Sequence, residues 1–315
     1  MGIPVYIFTG LLEGGKTIFM KEVLADPNFT ENEKTLIVQL EEGIEEFDED
    51  FLKQSNCSLV CFDDEDEVTI SALKNAVKEH KPDRIMVELN GMWSLETFGN
   101  EKMPADWELY QVVACINGAT FELYSANLGA KMFEHITNAD LIVFNRCTQK
   151  DKDYLHSRNI RAMNPRATIF LDDVEGNSED YRDNMVMPFD IDADEIDIAD
   201  EDFGLWYVDA SSEPDKYDGK IVKFKAHVLV TDQLPKGWIV PGRHGMVCCA
   251  DDIAFLGFAC NAGDKFGKIE NKQWYNVKAK IHIEELAQYK GAGPVLTLID
   301  IQKAEKPKEE IVYFS

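Results

Sequence analysis

Between Val5 and Leu171 the apolar runs VYIFT, KTLIVQL, SLVCF, DRIMVEL, QVVACIN, DLIVFN and ATIFL alternate with longer segments whose apolar positions recur at helical spacing. Those segments, KTIFMKEVLADP, EVTISALKNAVKEHKP and TFELYSANLGAKMFEHITNAD, run toward Pro, Asn or Asp, residues that close helices. Continuous apolar strands alternating with helices predict an α/β domain with a mainly parallel sheet. From Asp172 to Asp202 periodicity is lost and acids accumulate, most densely in DIDADEIDIADED, which reads as a linker or a solvated connection. After Lys220 come IVKFKAHVLV, GWIVPGR, MVCCA, AFLGFAC, QWYNVKAKIHI and PVLTLIDIQKA, separated by Gly, Pro, Asn and Asp. They predict a small β-barrel of the OB type, with about five or six strands. The expected boundaries are 1–171 for the α/β domain, 172–202 for the acidic linker and 203–315 for the β domain.

A length of 315 residues agrees with two separate cores. The 32 Lys and Arg against 58 Asp and Glu leave a formal net charge of -26, which repels nucleic-acid backbones and anionic membranes. Nucleic acid is therefore not an expected partner. No apolar run reaches the ~18 residues of a membrane span, and MGIPVYIFTG has neither a basic n-region nor a small-residue cleavage site. A cytoplasmic protein without direct membrane insertion is expected. The 7 cysteines, two of them adjacent at Cys248 and Cys249, suit free thiols or metal ligation better than a disulfide framework.

The stretch Gly10-Leu-Leu-Glu-Gly14-Gly15-Lys16-Thr17 matches G-x-x-x-x-G-K-[ST], with a strand before it and a helix opening through Ile18 after it. Its chemistry is that of a phosphate cradle. Glycines let backbone amides converge on phosphate oxygens, Lys16 neutralises the β- and γ-phosphates, and the Thr17 hydroxyl meets Mg²⁺ at a helix N-terminus. In DRIMVELNG, Glu88 ends an apolar strand three positions before Gly91, where a carboxylate can hold the metal. ADLIVFNRCT ends a further strand in Asn145 and Arg146, the position of a base-reading loop. Mg²⁺ and a nucleoside triphosphate are thus the expected ligands.

With these residues in order, the first half resembles the CobW family of metal-related GTPases, relatives of the HypB and UreG nucleotide-binding proteins. The family's glycine loop looks like GLLEGGKTI, and its Asn-Glu-x-Gly segment looks like Leu40-Glu41-Glu42-Gly43. Its E-x-x-G looks like Glu88-Leu-Asn-Gly91, its Asn-Lys-x-Asp like Asn145-Arg146-Cys147-Thr148, and its L-N-P-x-A like Met163-Asn-Pro-Arg-Ala167. The resemblance implies GTP as the nucleotide, Thr17 and Glu88 as Mg²⁺ ligands, and Lys16, Glu88 and Glu41 as the catalytic set. Two departures stand out. Thr148 replaces the acid that accepts from guanine, leaving the choice of base open. The family's Cys-x-Cys-Cys is replaced by Cys57 and Cys61, which a regular strand holds about 13 Å apart.

In the second half, HGMVCCADD brings together His244, Cys248, Cys249 and Asp251, types that ligate Zn²⁺. Adjacent cysteines on a regular strand face opposite ways, so packing inside a small barrel is the other reading. The segments DFGLWYVDASSEPDKYDGKIVKFKAHV, WIVPGRHGMVCCADDIAFLGF and QWYNVKAKI resemble the C-terminal domain of a bacterial family of permease-associated subunits. That resemblance implies a membrane permease as partner, and a metalloprotein client is the other partner expected of the chain. Two functions are expected from the whole chain. One is a GTP-hydrolysing protein of zinc or cobalt homeostasis or metallochaperone transfer. The other is a non-hydrolysing nucleotide-binding scaffold or regulatory subunit of a transporter.

Overall fold

The computed structural model describes residues 2–30, 33–164, 166–182, 187–231, 234–246, 253–286, 289 and 291–313. They fall into two compact units, Met1–His156 with Arg166–Asp183 and Ser157–Pro165 with Asn184–Ser315.

In the first unit the strands are β1 (Ile3–Thr9), β2 (Thr35–Gln39), β3 (Cys57–Cys61), β4 (Arg84–Glu88), β5 (Trp107–Asn117), β6 (Leu141–Cys147), β7 (Thr168–Asp173) and β8 (Ser178–Asp180). They form one sheet in the order β3-β2-β4-β1-β5-β6-β7-β8. Every pairing is parallel except that of β7 with β8. This is the α/β fold of the P-loop nucleoside triphosphatases. β2 and β4 are buried at every position, as strands covered on both faces must be. Because the strands run in one direction, the ends of β1, β2, β4 and β6 open on the same edge, where such sheets hold ligands. Phe8 and Gln39 both stand in register with Glu88, one on each side of it.

The helix α1 (Lys16–Ala25) follows β1 directly after the glycine loop and buries Lys16, Thr17, Met20 and Leu24. Helix Ile70–His80 starts at Thr69, whose hydroxyl accepts from the Ala72 amide at 3.2 Å. It stops at Lys81, in left-handed backbone at φ 48°, ahead of Pro82. The helical segment 120–140 divides at Leu128 into Gly118–Asn127 and Gly129–Thr137. The second of these buries Met132, His135 and Ile136. β3 is unbroken from Cys57 to Cys61, so the two thiols stand at its opposite ends.

The second unit is a mixed sheet of β9 (Glu195–Asp197), β10 (Ile221–Leu229), β11 (Trp238–Met246), β12 (Ile253–Gly257), β13 (Cys260–Asn261), β14 (Gln273–Leu286), β15 (Gly291–Lys303) and β16 (Ile311–Tyr313). Its order is β12-β11-β13-β15-β14-β10-β9, with β16 on β11 and a further pairing of β10 with β11. Strict alternation along β10 sends Val222, Phe224, Ala226 and Val228 inward and Lys223, Lys225 and His227 outward. Phe203 and Trp206, from the helix Phe203–Ser212, join that core, with the Trp206 and Phe224 ring centroids 4.9 Å apart. Full burial of such side chains stabilises by about 1.5–3 kcal/mol each.

The acidic stretch 172–202 contributes strands to both sheets. β8 pairs with β7, and β9 runs parallel to β10. The reason lies in alternation: within the acidic run Ile196 and Ile198 are buried while Glu195 and Asp197 face outward. Of the expected run MVCCA, Met246 ends β11 and residues 247–250 lie outside the described residues.

Candidate functional site

Gly15 is the N-cap of α1, in left-handed backbone at φ 96°, and no side chain caps the helix. A Cβ at Gly15 would stand 2.6 Å from Asn145 Nδ2. Only glycine satisfies both conditions. No acid occupies the first turn, so its amides remain open to an anion.

The charged groups converge on the same loop. Lys16 Nζ donates to Gly10 O at 2.8 Å, Leu11 O at 3.2 Å and Glu41 Oε2 at 2.5 Å. Lys16 and Glu41 have side-chain exposures of 3% and 10%, so the pair is shielded from water. The other Glu41 oxygen accepts from the Gly91 amide at 3.2 Å. Thr17 Oγ1 donates to Glu88 Oε1 at 2.7 Å, and Gln39 Nε2 donates to Glu88 Oε2 at 3.0 Å. Burial pushes the Glu88 carboxyl above its usual range, while the Thr17 hydroxyl, the Lys16 charge and the Gln39 amide oppose that shift.

These residues fit a triphosphate and Mg²⁺. Lys16 already holds one anionic oxygen, the helix start is uncapped, and a hydroxyl and a carboxylate meet beside it. Ile18 lines the same cleft with Leu12, Glu45 and Arg146. Glu13 adopts φ 61°, and its carboxylate accepts from the Ile44 amide at 3.4 Å, both residues lining the cleft.

Asn145 and Arg146 reach the loop from β6. Asn145 Nδ2 donates to Gly14 O at 2.7 Å, and Arg146 donates to Glu13 O at 3.2 Å. Asn145 Oδ1 is buried without a hydrogen-bond partner, an acceptor open to a ligand donor. The strand register shifts between Phe144 and Cys147, with Arg146 at φ 55°, and this irregularity re-aims both side chains. Asp151 serves as a local cap. Its Oδ2 accepts from the Thr148 amide at 2.9 Å and the Thr148 hydroxyl at 2.6 Å, and its own amide lies 3.4 Å from that hydroxyl. The T-x-x-D spacing is a capping box, and it is legible in the sequence.

Two contributors carry no motif. Gln39 ends β2, and its signal in the sequence is an amide set between Val38 and Leu40. His135 Nδ1 lies 2.8 Å from Thr9 Oγ1 at the end of β1. Burial pushes His135 down to about 4.

In the second unit His244 stands exposed on β11, its ring centroid 6.1 Å from that of His227. Cys248, Cys249 and Asp251 lie outside the described residues. Among the described residues no three His, Cys, Asp or Glu side chains group closely enough to hold a metal ion. No helix among the described residues is long and apolar enough to cross a membrane.

Fold and loop together define a P-loop nucleotide-binding protein. Residues 4–171 match the CobW/HypB/UreG nucleotide-binding domain, and the chain belongs to that family. Residues 175–314 match the DUF1980 C-terminal domain. Among solved structures, the chain is similar to the hydrogenase maturation factor HypB from Archaeoglobus fulgidus, at 16% identity over 55% of this chain and 82% of that one, with a TM-score of 0.38. It is also similar to the Zn(II)-bound YjiA GTPase from E. coli, at 16% identity over 74% of each chain, with a TM-score of 0.44. No curated protein matches the chain.

Proposed function

We propose that this chain is a Mg²⁺-dependent nucleoside triphosphatase, using GTP as its family resemblance implies, that acts in zinc or cobalt handling together with a permease or a metalloprotein client. The observation that carries the reading is the convergence of Lys16, Thr17, Glu41 and Glu88 on an uncapped helix N-terminus. Gly10, Gly14, Gly15 and Ile18 shape the cradle, and Asn145 and Arg146 border it. Thr17 and Glu88 would hold Mg²⁺, which when bound supplies charge neutralisation at the transferring phosphoryl group. Lys16 would exchange the Glu41 carboxylate for phosphate oxygens. Glu41, released from Lys16 yet bonded to the Gly91 amide, would relay that exchange to the segment after β4.

Domain boundaries of 1–171, 172–202 and 203–315 accord with a catalytic domain joined to a docking module. The pairings β10-β11-β13-β15-β14-β10 return to their starting strand, which supports a small OB-like barrel for that module. We assign His244, Cys248, Cys249 and Asp251 to a candidate zinc site there. A non-hydrolysing regulatory subunit is the second reading, favoured by Thr148, whose neutral hydroxyl is bonded to Asp151 where the family has a guanine-reading acid.

The test is GTP and ATP binding and phosphate release by the wild type and Lys16→Ala, with and without Zn²⁺. Phosphate release that depends on Lys16 supports the hydrolase. Tight binding without release above the Lys16→Ala background supports the second reading, and binding of neither nucleotide refutes both. Zinc stoichiometry unchanged by Cys248→Ser with Cys249→Ser refutes the zinc site.

A further inference from the structure

Cys61, Gln39 and Glu88 form one row across three parallel strands, Gln39 standing in register with Cys61 on β3 and with Glu88 on β4. Gln39 is buried, in a strand with no exposed position. A primary amide in such a place costs stability unless both of its functions are bonded. Both are. The NH₂ group donates to Glu88 Oε2 at 3.0 Å, and the amide oxygen accepts from the Cys61 thiol at 3.6 Å. The backbone holds the row in place from each side: Phe62 N donates to Gln39 O at 3.0 Å, and Leu40 N donates to Glu88 O at 2.9 Å.

A carboxylate on a strand end can rotate. With Oε2 tied to Gln39, Glu88 Oε1 is the oxygen left to face the Thr17 hydroxyl at 2.7 Å. The amide cannot turn over without setting its own oxygen against a carboxylate oxygen and abandoning the thiol. We propose that Gln39 is a positioning residue for the metal site, fixing the rotation of Glu88 so that one oxygen is delivered beside Thr17, and that the Cys61 thiol orients Gln39 in turn. This inference rests on the reading of Thr17 and Glu88 as the Mg²⁺ pair. It adds a residue that makes no contact with nucleotide or metal, and it explains why β2 ends in an amide where Val or Ile would pack at lower cost.

The experiment measures nucleotide affinity by fluorescent-analogue titration at a series of Mg²⁺ concentrations, for the wild type, Gln39→Met, Gln39→Glu and Cys61→Ala. Thermal melting of each variant is the folding control. Outer groups that orient metal ligands typically change metal affinity 10–100-fold when removed. Gln39→Met keeps the shape and loses the donor, so the half-saturating Mg²⁺ concentration should rise about tenfold. Affinity in EDTA should stay unchanged. Gln39→Glu places a second carboxylate against Glu88 and should raise the requirement further. Cys61→Ala, on the edge strand, removes only the weak thiol donor and should raise it by about threefold.

Three results would overturn the inference. One is a Mg²⁺ requirement unchanged in Gln39→Met and Cys61→Ala. A second is equal loss of affinity with and without Mg²⁺, the mark of a packing role. The third is failure of the wild type to bind nucleotide at all, which removes the proposed function and this inference with it. The first two leave the proposed function standing.

Discussion

Replacing His135 with Asn tests the electrostatics of the first unit most directly. The imidazole is 1% exposed and bonded through Nδ1 to Thr9, and burial lowers it from 6.5 to about 4, a shift opposed by the nearby Glu134 carboxylate. Asn keeps a group within reach of the Thr9 hydroxyl and removes the titration. Above pH 6.5 the ring is neutral in folded and unfolded chains alike, so it adds no pH dependence there. Below that, the unfolded chain takes up a proton that the folded chain refuses, and stability falls until the pH passes about 4. At pH 5 this linkage amounts to about 2 kcal/mol. Hydrogen exchange at the amides of Val113 to Ile116 in β5, corrected for intrinsic rates, reports the opening of this unit. The wild type should lose about 2 kcal/mol more protection between pH 8 and pH 5 than His135→Asn does. Equal losses in the two proteins would refute the assignment, as would a His135 titration near 6.5 by NMR.

Three further outcomes are expected. Gly91→Ala would put a Cβ 2.4 Å from Gly10 O, so nucleotide affinity should fall at least tenfold; a titration matching the wild type would show that the two loops separate freely. Glu13→Gly relieves a left-handed residue at φ 61° and should raise stability by up to about 1 kcal/mol in thermal melts, whereas a lowered Tm would mean that the contact with Ile44 matters more. In the second unit Tyr217→Phe removes the donor to buried Asp209, a bond of 2.8 Å, and should destabilise by about 1–2 kcal/mol in urea titration. No change there would indicate that Lys216 alone satisfies Asp209.

The P-loop strands were legible because parallel strands covered on both faces carry an unbroken apolar centre, Leu36–Val38 in TLIVQ and Ile85–Val87 in RIMVE. That Lys16, Thr17 and Glu88 meet at one strand edge was legible from the G-x-x-x-x-G-K-[ST] spacing and the strand-end acid. Gln39 and His135 were not, since each matters through a partner brought close by strand register or helix packing. Gln39 meets Glu88 from 49 positions away, and His135 meets Thr9 from 126. The cap made by Thr148 and Asp151 is legible in the T-x-x-D spacing, at the position that a guanine-reading loop would occupy. β9 is short and acidic, so its only strand signal is the alternation of Ile196 and Ile198 at period two.

The Lys16–Glu41 pair gives the P-loop lysine a counterion from the chain itself. A nucleotide bound as proposed would compete with this tethered carboxylate, and the contest would be decided by how many negative oxygens it brings to Lys16. A terminal phosphate brings several, whereas a nucleoside or a monophosphate that cannot reach the ammonium brings none. Under the proposed function, discrimination by the length of the phosphate chain would follow from this one ion pair, independently of how the base is read.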